Sequence, residues 1–177
     1  MTCYMVTGCA GFIGSNLVDR LLAGGHEVVG IDNFSTGKRE FLTEASLSSA
    51  FTIVEGDLLD PATLDRALTG KSVELVFHFA ANADVSQGTK YPRRDLEQNT
   101  IVTYNVLDAM KTHGVRRIAF SSTGSIYGEP EVFPTPEDAP FPVQTSFYGA
   151  SKSASESLIA AFCEGFGFQS WIYRFVS

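Results

Sequence analysis

The chain has 177 residues, 44% hydrophobic and 19% charged, which suits one packed domain and excludes a disordered segment. Its formal net charge of -7 and pI near 4.9 argue against nonspecific binding to nucleic acid or to anionic membranes. No stretch approaches the roughly 20 apolar residues of a membrane span, and the scattered Cys3, Cys9 and Cys163 have no metal-ligand spacing.

Three unpaired thiols and an N-terminus without a basic, cleavable leader point to the cytoplasm, with no metal and no membrane partner. In chain order, the pattern predicts a strand over 3–7, a helix over 12–23 stopped by Gly24-Gly25, and a strand over 27–31. A polar turn over 33–38 precedes a short helix over 39–48 and a strand over 51–55. Asp60-Pro61 reads as an N-cap with proline at the first helical position, opening a helix to about Leu68. An apolar strand follows over 73–79, then a long helix over 92–112 and a strand over 115–121. Residues 128–146 hold five of the seven prolines and read as an irregular loop. A helix over 147–166 and a strand over 169–176 end the chain. Alternating strands and helices predict an α/β fold, a Rossmann-type doubly wound parallel sheet of order 3-2-1-4-5-6 with helices on both faces. Ligand is then expected at the carboxyl ends of the strands.

The first strand runs into Gly8-Cys9-Ala10-Gly11-Phe12-Ile13-Gly14 and a helix. Gly8 permits the tight turn, Gly11 lets backbone approach a pyrophosphate, and Gly14 lets the helix pack on the sheet. The helix N-terminus offers free N–H groups and positive dipole charge to an anion. The second strand ends in Asp32, whose carboxylate can accept from both ribose hydroxyls of an adenosine and repels a 2′-phosphate, favouring NAD over NADP.

Tyr148 and Lys152 stand four residues apart on a predicted helix and so share a face. An ammonium beside the phenol would lower its pKa from about 10 towards neutrality and make Tyr148 a general base. The hydroxyls of Ser121, Ser122 and Thr123 close the preceding strand, at the same end of the sheet.

The G-x-x-G-x-x-G turn, Asp32-Asn33, Gly56-Asp57-Leu58, His78-Phe79-Ala80-Ala81, Asn99-Thr100, Ser121 to Gly128 and Tyr148 to Lys152 together resemble the extended short-chain dehydrogenase/reductases. Within them the chain is most similar to the NAD-dependent epimerase/dehydratase family, in particular the branch that interconverts UDP-glucose and UDP-galactose. The resemblance covers essentially the whole chain and implies the following roles. Phe12 and Ile13 would cover the pyrophosphate, with Gly8, Gly11 and Gly14 shaping the turn. Asp32 and Asn33 would hold the adenosine ribose, and Asp57 and Leu58 would flank the adenine. Phe79, Ala80 and Ala81 would line the cofactor trough, Asn99 would support the active-site helix, and Ser121 would lie beside the cofactor. Thr123, Tyr148 and Lys152 would be catalytic, and Lys152 would also hold the nicotinamide ribose. Thr123 and Tyr148 would meet the UDP-sugar, as would Ser177, where the family often has Asn. The implied reaction inverts a sugar carbon through a transient 4-keto intermediate, with Tyr148 as base and a tightly held NAD.

Gly124-Ser125 after Thr123 carries no acid, whereas the family's dehydratases place Asp-Glu there, so an epimerase or a simple reductase is favoured over a dehydratase. A non-catalytic NAD-binding module is the remaining alternative. The family's substrate-binding lobe lies beyond the sixth strand, so residues 1–177 are expected to form an NAD-binding domain only, inactive if it is a fragment. Apolar residues beyond one stripe on 92–112 and 147–166 suggest a homodimer packed through those helices. His78 reads as packing.

Overall fold

A computed structural model describes residues 1–140 and 143–176. The role expected of Ser177 therefore lies outside the described residues.

Six parallel strands, β1 (Cys3–Thr7), β2 (Glu27–Asp32), β3 (Phe51–Glu55), β4 (Val73–His78), β5 (Arg117–Thr123) and β6 (Gln169–Phe175), form one sheet in the order β3-β2-β1-β4-β5-β6. The predicted topology is the observed one. Two-residue alternation sends neighbouring side chains to opposite faces. Met5 joins one core with Val29, Ile31, Val76, Ile118 and Phe120, while Val6 joins the other with Val28, Cys9 and Val18. The first face is covered by α2 (Pro61–Leu68), α4 (Val102–Thr112) and α5 (Phe147–Phe166). The second is covered by α1 (Phe12–Ala23) and the segment around Leu42 and Ala45. This second cover stops short of β6, whose Trp171, Tyr173 and Phe175 stay 38–49% exposed.

Caps explain several boundaries. The Asp60 side chain accepts from Ala62 N with Pro61 behind it, as expected. The Ser146 side chain caps α5 through Gly149 N, and Gly167, in the left-handed conformation, ends it.

Three boundaries differ from the sequence reading. Residues 39–48 form two 3₁₀ turns, Arg39–Leu42 and Ala45–Leu47, because only Leu42 and Ala45 turn inward and no apolar stripe sustains an α-helix. Val115 and Arg116 lie outside β5, although the Arg116 carbonyl accepts from Gln169 N of β6 at 2.8 Å. Val115 N closes on the Met110 carbonyl, and the Arg116 guanidinium donates to the carbonyls of Met110, Lys111 and Val115. They finish α4, so β5 begins at Arg117 and carries through to Thr123. The third difference is inside the long helix: between α3 (Pro92–Asp95) and α4, residues Leu96–Ile101 wind as a π-helix. There the Asn99 carbonyl accepts from the hydroxyls of Thr103 at 2.6 Å and Ser155 at 3.2 Å. Side-chain hydroxyls inserted into the helical hydrogen-bond ladder are a recognised cause of such local rewinding.

Candidate active site

The carboxyl ends of β1, β2 and β4 open into a cavity of about 340 Å³. One wall is the turn after β1. A Cβ on Gly8, where φ is +68°, would sit 2.7 Å from Ala80 N, and one on Gly14 would sit 2.1 Å from the Gly8 carbonyl. Side chains are thus excluded where the helix, the turn and the β4 end meet. The N-cap of α1, Gly11, brings no side chain to the first helical amides, and the first turn holds no acidic residue. Phe12 and Ile13 are 78% and 45% exposed at the cavity edge. An anion is favoured at such a terminus.

Asp32 lines the opposite wall and is 9% exposed. One carboxylate oxygen accepts from Ala10 N at 2.9 Å, the other from Phe34 N at 2.8 Å. The carboxylate therefore locks the glycine turn to the end of β2 and still has lone pairs for a ligand's hydroxyls. Asn33 donates to Asp57 at 3.2 Å, joining the two loops expected around an adenosine. Leu58, Phe79, Ala80, Ala81 and Ser121 complete the predicted lining. Ala83 and Gln98 also face the cavity. Sequence reading missed both: neither carries a charge or a motif signal, and the fold alone brings them there. The cradle closed to any Cβ, the open helix terminus and the Asp32 carboxylate suit a dinucleotide.

Asn99 is not part of that lining. It is buried, with its carbonyl side-chain oxygen accepting from Asn82 N at 2.8 Å and its amide donating to Ser151 Oγ at 2.9 Å. The Ser151 hydroxyl in turn donates to the Tyr148 carbonyl at 2.8 Å. Asn99 thus touches the helix that carries Tyr148 by direct side-chain contact, where the resemblance implies backbone or water contacts.

Thr123, Tyr148 and Lys152 gather next to the Ser121 end of the cavity, on β5 and the first turns of α5. Burial pushes the Tyr148 phenol above its ordinary pKa; Thr123 draws it down in part, and Asp95 adds to the rise. The expected depression by Lys152 is absent. The reason is that Lys152 has lost its proton before the phenol titrates. Lys152 Nζ donates to the Ser121 carbonyl at 2.7 Å and lies over the Phe120 ring. Lys152 is 2% exposed, and burial pushes its pKa down to about 7 against an upward pull from Glu156. Sequence reading also missed Glu156 itself. This carboxylate, one helical turn after Lys152, accepts from the Ser122 hydroxyl and from Arg174 through both oxygens, at 3.2 and 2.9 Å.

His78 is fully buried, and burial together with the Lys152 charge pushes its pKa down to about 3. Among the described residues no cluster of three or more His, Cys, Asp or Glu could hold a metal ion, and no helix is long and apolar enough to cross a membrane.

The model of the NAD-dependent epimerase/dehydratase family matches residues 4–177. A UDP-glucose 4-epimerase of Mycolicibacterium smegmatis is 43% identical over 153 residues, which cover 86% of this chain and 48% of that protein. The crystal structure of a Thermus thermophilus UDP-glucose 4-epimerase in complex with NAD matches with a TM-score of 0.89 at 37% identity, over 98% of this chain and 54% of that one. The Thermotoga maritima UDP-glucose 4-epimerase with UDP-glucose matches with a TM-score of 0.90 at 35% identity, over 98% and 55%. The chain spans about half the length of the curated relatives it matches. With its family model matched along nearly its whole length and its turn, carboxylate and Tyr-Lys helix in their expected places, the chain belongs to the NAD-dependent epimerase/dehydratase family.

Proposed function

We propose that residues 1–177 form the cofactor-binding part of a sugar-nucleotide 4-epimerase that holds NAD and acts on UDP-glucose and UDP-galactose. The observation that carries this reading is the gathering of Thr123, Tyr148 and Lys152 beside the Ser121 end of the dinucleotide cavity. The relatives at 35–43% identity that share this part are named UDP-glucose 4-epimerases, one of them in complex with NAD.

The α1 terminus would hold the pyrophosphate and Asp32 the adenosine ribose. Arg39 would not welcome a 2′-phosphate, because it pairs with Glu55 at 2.7 Å and stacks on Phe34 at 3.9 Å. NAD, when bound, would supply the reversible hydride acceptor. Tyr148 takes the proton from the sugar 4-hydroxyl and returns it after the sugar has presented its other face. Thr123 draws the phenol's pKa in the direction a base requires. Lys152 shares the Tyr148 face of α5 and can hold a nicotinamide ribose or steady the phenolate.

A dehydratase needs a further acid and base after Thr123. Here Thr123 Oγ1 caps Ser125 N at 3.1 Å, and neither Gly124 nor Ser125 can supply that chemistry. A substrate-binding lobe belongs to the other half of the protein. Exposed Ile101, Tyr104, Phe147 and Phe166 on the two long helices support a homodimer through them. The three free cysteines support a cytoplasmic setting.

The test is interconversion of UDP-galactose and UDP-glucose with NAD present, by a form that includes the second half, with Tyr148→Phe as control. Conversion that falls by about 10²-fold or more in the control supports the reading. NAD binding without conversion of either sugar overturns the substrate assignment.

A further inference from the structure

A directed hydrogen-bond chain runs from the cofactor side of the cavity to the backbone of Tyr148, and His78 is its centre. Thr7 Oγ1 lies 3.2 Å from both Phe79 N and Ala80 N and accepts from each. A hydroxyl oxygen has two lone pairs, so both are taken and its one proton must go elsewhere. It goes to His78 Nδ1, 2.7 Å away. Nδ1 is therefore the acceptor and the imidazole proton is on Nε2. The far side agrees independently. Thr103 Oγ1 donates to the Asn99 carbonyl at 2.6 Å and so can only accept from His78 Nε2, at 3.1 Å. From Asn99 the path continues through Ser151 Oγ to the Tyr148 carbonyl. Every member from Thr7 to Ser151 except the two backbone amides is buried, so no solvent can substitute for a missing link.

We propose that His78, as a neutral imidazole protonated on Nε2, is a positioning residue that fixes the Phe79–Ala80 wall of the cavity relative to Asn99 and the Tyr148 turn of α5. The π-helical segment is the adjustable partner in this arrangement, since it presents the Asn99 carbonyl to Thr103 while its side chain reaches Asn82 and Ser151. A packed aromatic residue would fill the same space without giving it direction. The tautomer is a property of this chain alone. The catalytic consequence rests on the epimerase reading above.

The first measurement is long-range ¹⁵N–¹H correlation on histidine-labelled protein, which carries His26, His78 and His113. The His78 resonance, assigned by its loss in His78→Leu, is expected to show a proton on Nε2 and a bare Nδ1. A proton on Nδ1 would overturn the proposal. The second is amide hydrogen exchange at Asn82, whose N–H reports the place of the Asn99 side chain. Thr103→Val cuts the chain at a buried site outside the cavity and keeps the volume. It is expected to speed exchange at Asn82 by about tenfold, the loss of one buried hydrogen bond, while amides in β1 and β2 stay protected. Uniform acceleration across the sheet, or none at Asn82, would show that the contact only packs. The third is turnover in the longer form. Thr103→Val is expected to lower kcat about tenfold with KM for the sugar nucleotide unchanged. His78→Gln, which can still donate to Thr103, is expected to recover part of what His78→Leu loses. Equal losses in Gln and Leu would count against direction as the essential property. The spectroscopic and exchange results hold whether or not the protein epimerises a sugar, so failure of the functional reading is separately visible.

Discussion

Lys152 Nζ donates to the Ser121 carbonyl at 2.7 Å, which ties the second turn of α5 to the end of β5. Burial makes Lys152 give up its proton before the phenol titrates, so Tyr148 has Thr123 alone to offset its own burial. Before ligand arrives, the tyrosine is a phenol and the lysine is the group that titrates near neutrality.

That has a consequence for stability. The pKa of Lys152 is about 7 when folded and about 10.5 when unfolded, so the unfolded chain binds the extra proton between these values. The penalty is complete below pH 7 and is relieved as pH rises. Between about pH 7 and 8.5, beneath the ordinary range of thiols and phenols, stability should climb by up to about 1.4 kcal/mol per pH unit. Urea midpoints should show this rise in the native sequence and lack it in Lys152→Met.

Two glycines of the turn should separate by role. Gly14→Ala drives a Cβ to 2.1 Å from a carbonyl oxygen and should cost about 2 kcal/mol or more in folding. Gly11→Ala meets the same oxygen at 3.2 Å, so its folding cost should stay within about 1 kcal/mol. Thermal melts and NAD titration should therefore show Gly14→Ala failing at folding and Gly11→Ala failing mainly at binding.

Asp32→Asn removes one of two acceptors that serve Ala10 N and Phe34 N. One backbone N–H is left facing an amide, at a cost of about 1–3 kcal/mol. The same change removes the charge that repels a 2′-phosphate. Calorimetry should show the ratio of NAD to NADP affinity narrowing by about tenfold, alongside a lowered denaturation midpoint.

Much of this was readable before any coordinates. Strand order, the glycine turn and Asp32 follow from local spacing, because a strand, a tight turn and a helix terminus constrain one another within a few residues. The helix that pairs Tyr148 with Lys152 was readable for the same reason. What escaped is set by contacts far apart in sequence. The π-helical turn depends on Ser155 reaching Asn99, and the start of β5 on where Arg116 spends its guanidinium. The direction of the Tyr148 shift depends on how deeply the fold buries Tyr148 and Lys152. His78 read as packing because a buried histidine gives no sign in sequence of the two threonines that orient it.

Glu156 and Arg174 illustrate the same point and offer a test. The pair joins α5 to β6, with Glu156 nearly buried, and the interaction holds the guanidinium more firmly protonated than usual. Glu156→Gln leaves Arg174 without its counter-charge and should cost about 3 kcal/mol by chemical denaturation. Adding Arg174→Met should recover a measurable part of that loss, because an unmatched cation is then removed. A double variant that loses as much as the sum of the singles, or more, would show that the pair carries no favourable coupling.

The chain's single tryptophan, Trp171, sits on the open flank of β6 beyond the reach of α1. That placement makes the protein its own optical probe. Indole emission responds to the polarity around it, and no other residue of its kind dilutes the signal. Acrylamide quenching of Trp171 would read directly how far the sixth strand is shielded from solvent, with no label added.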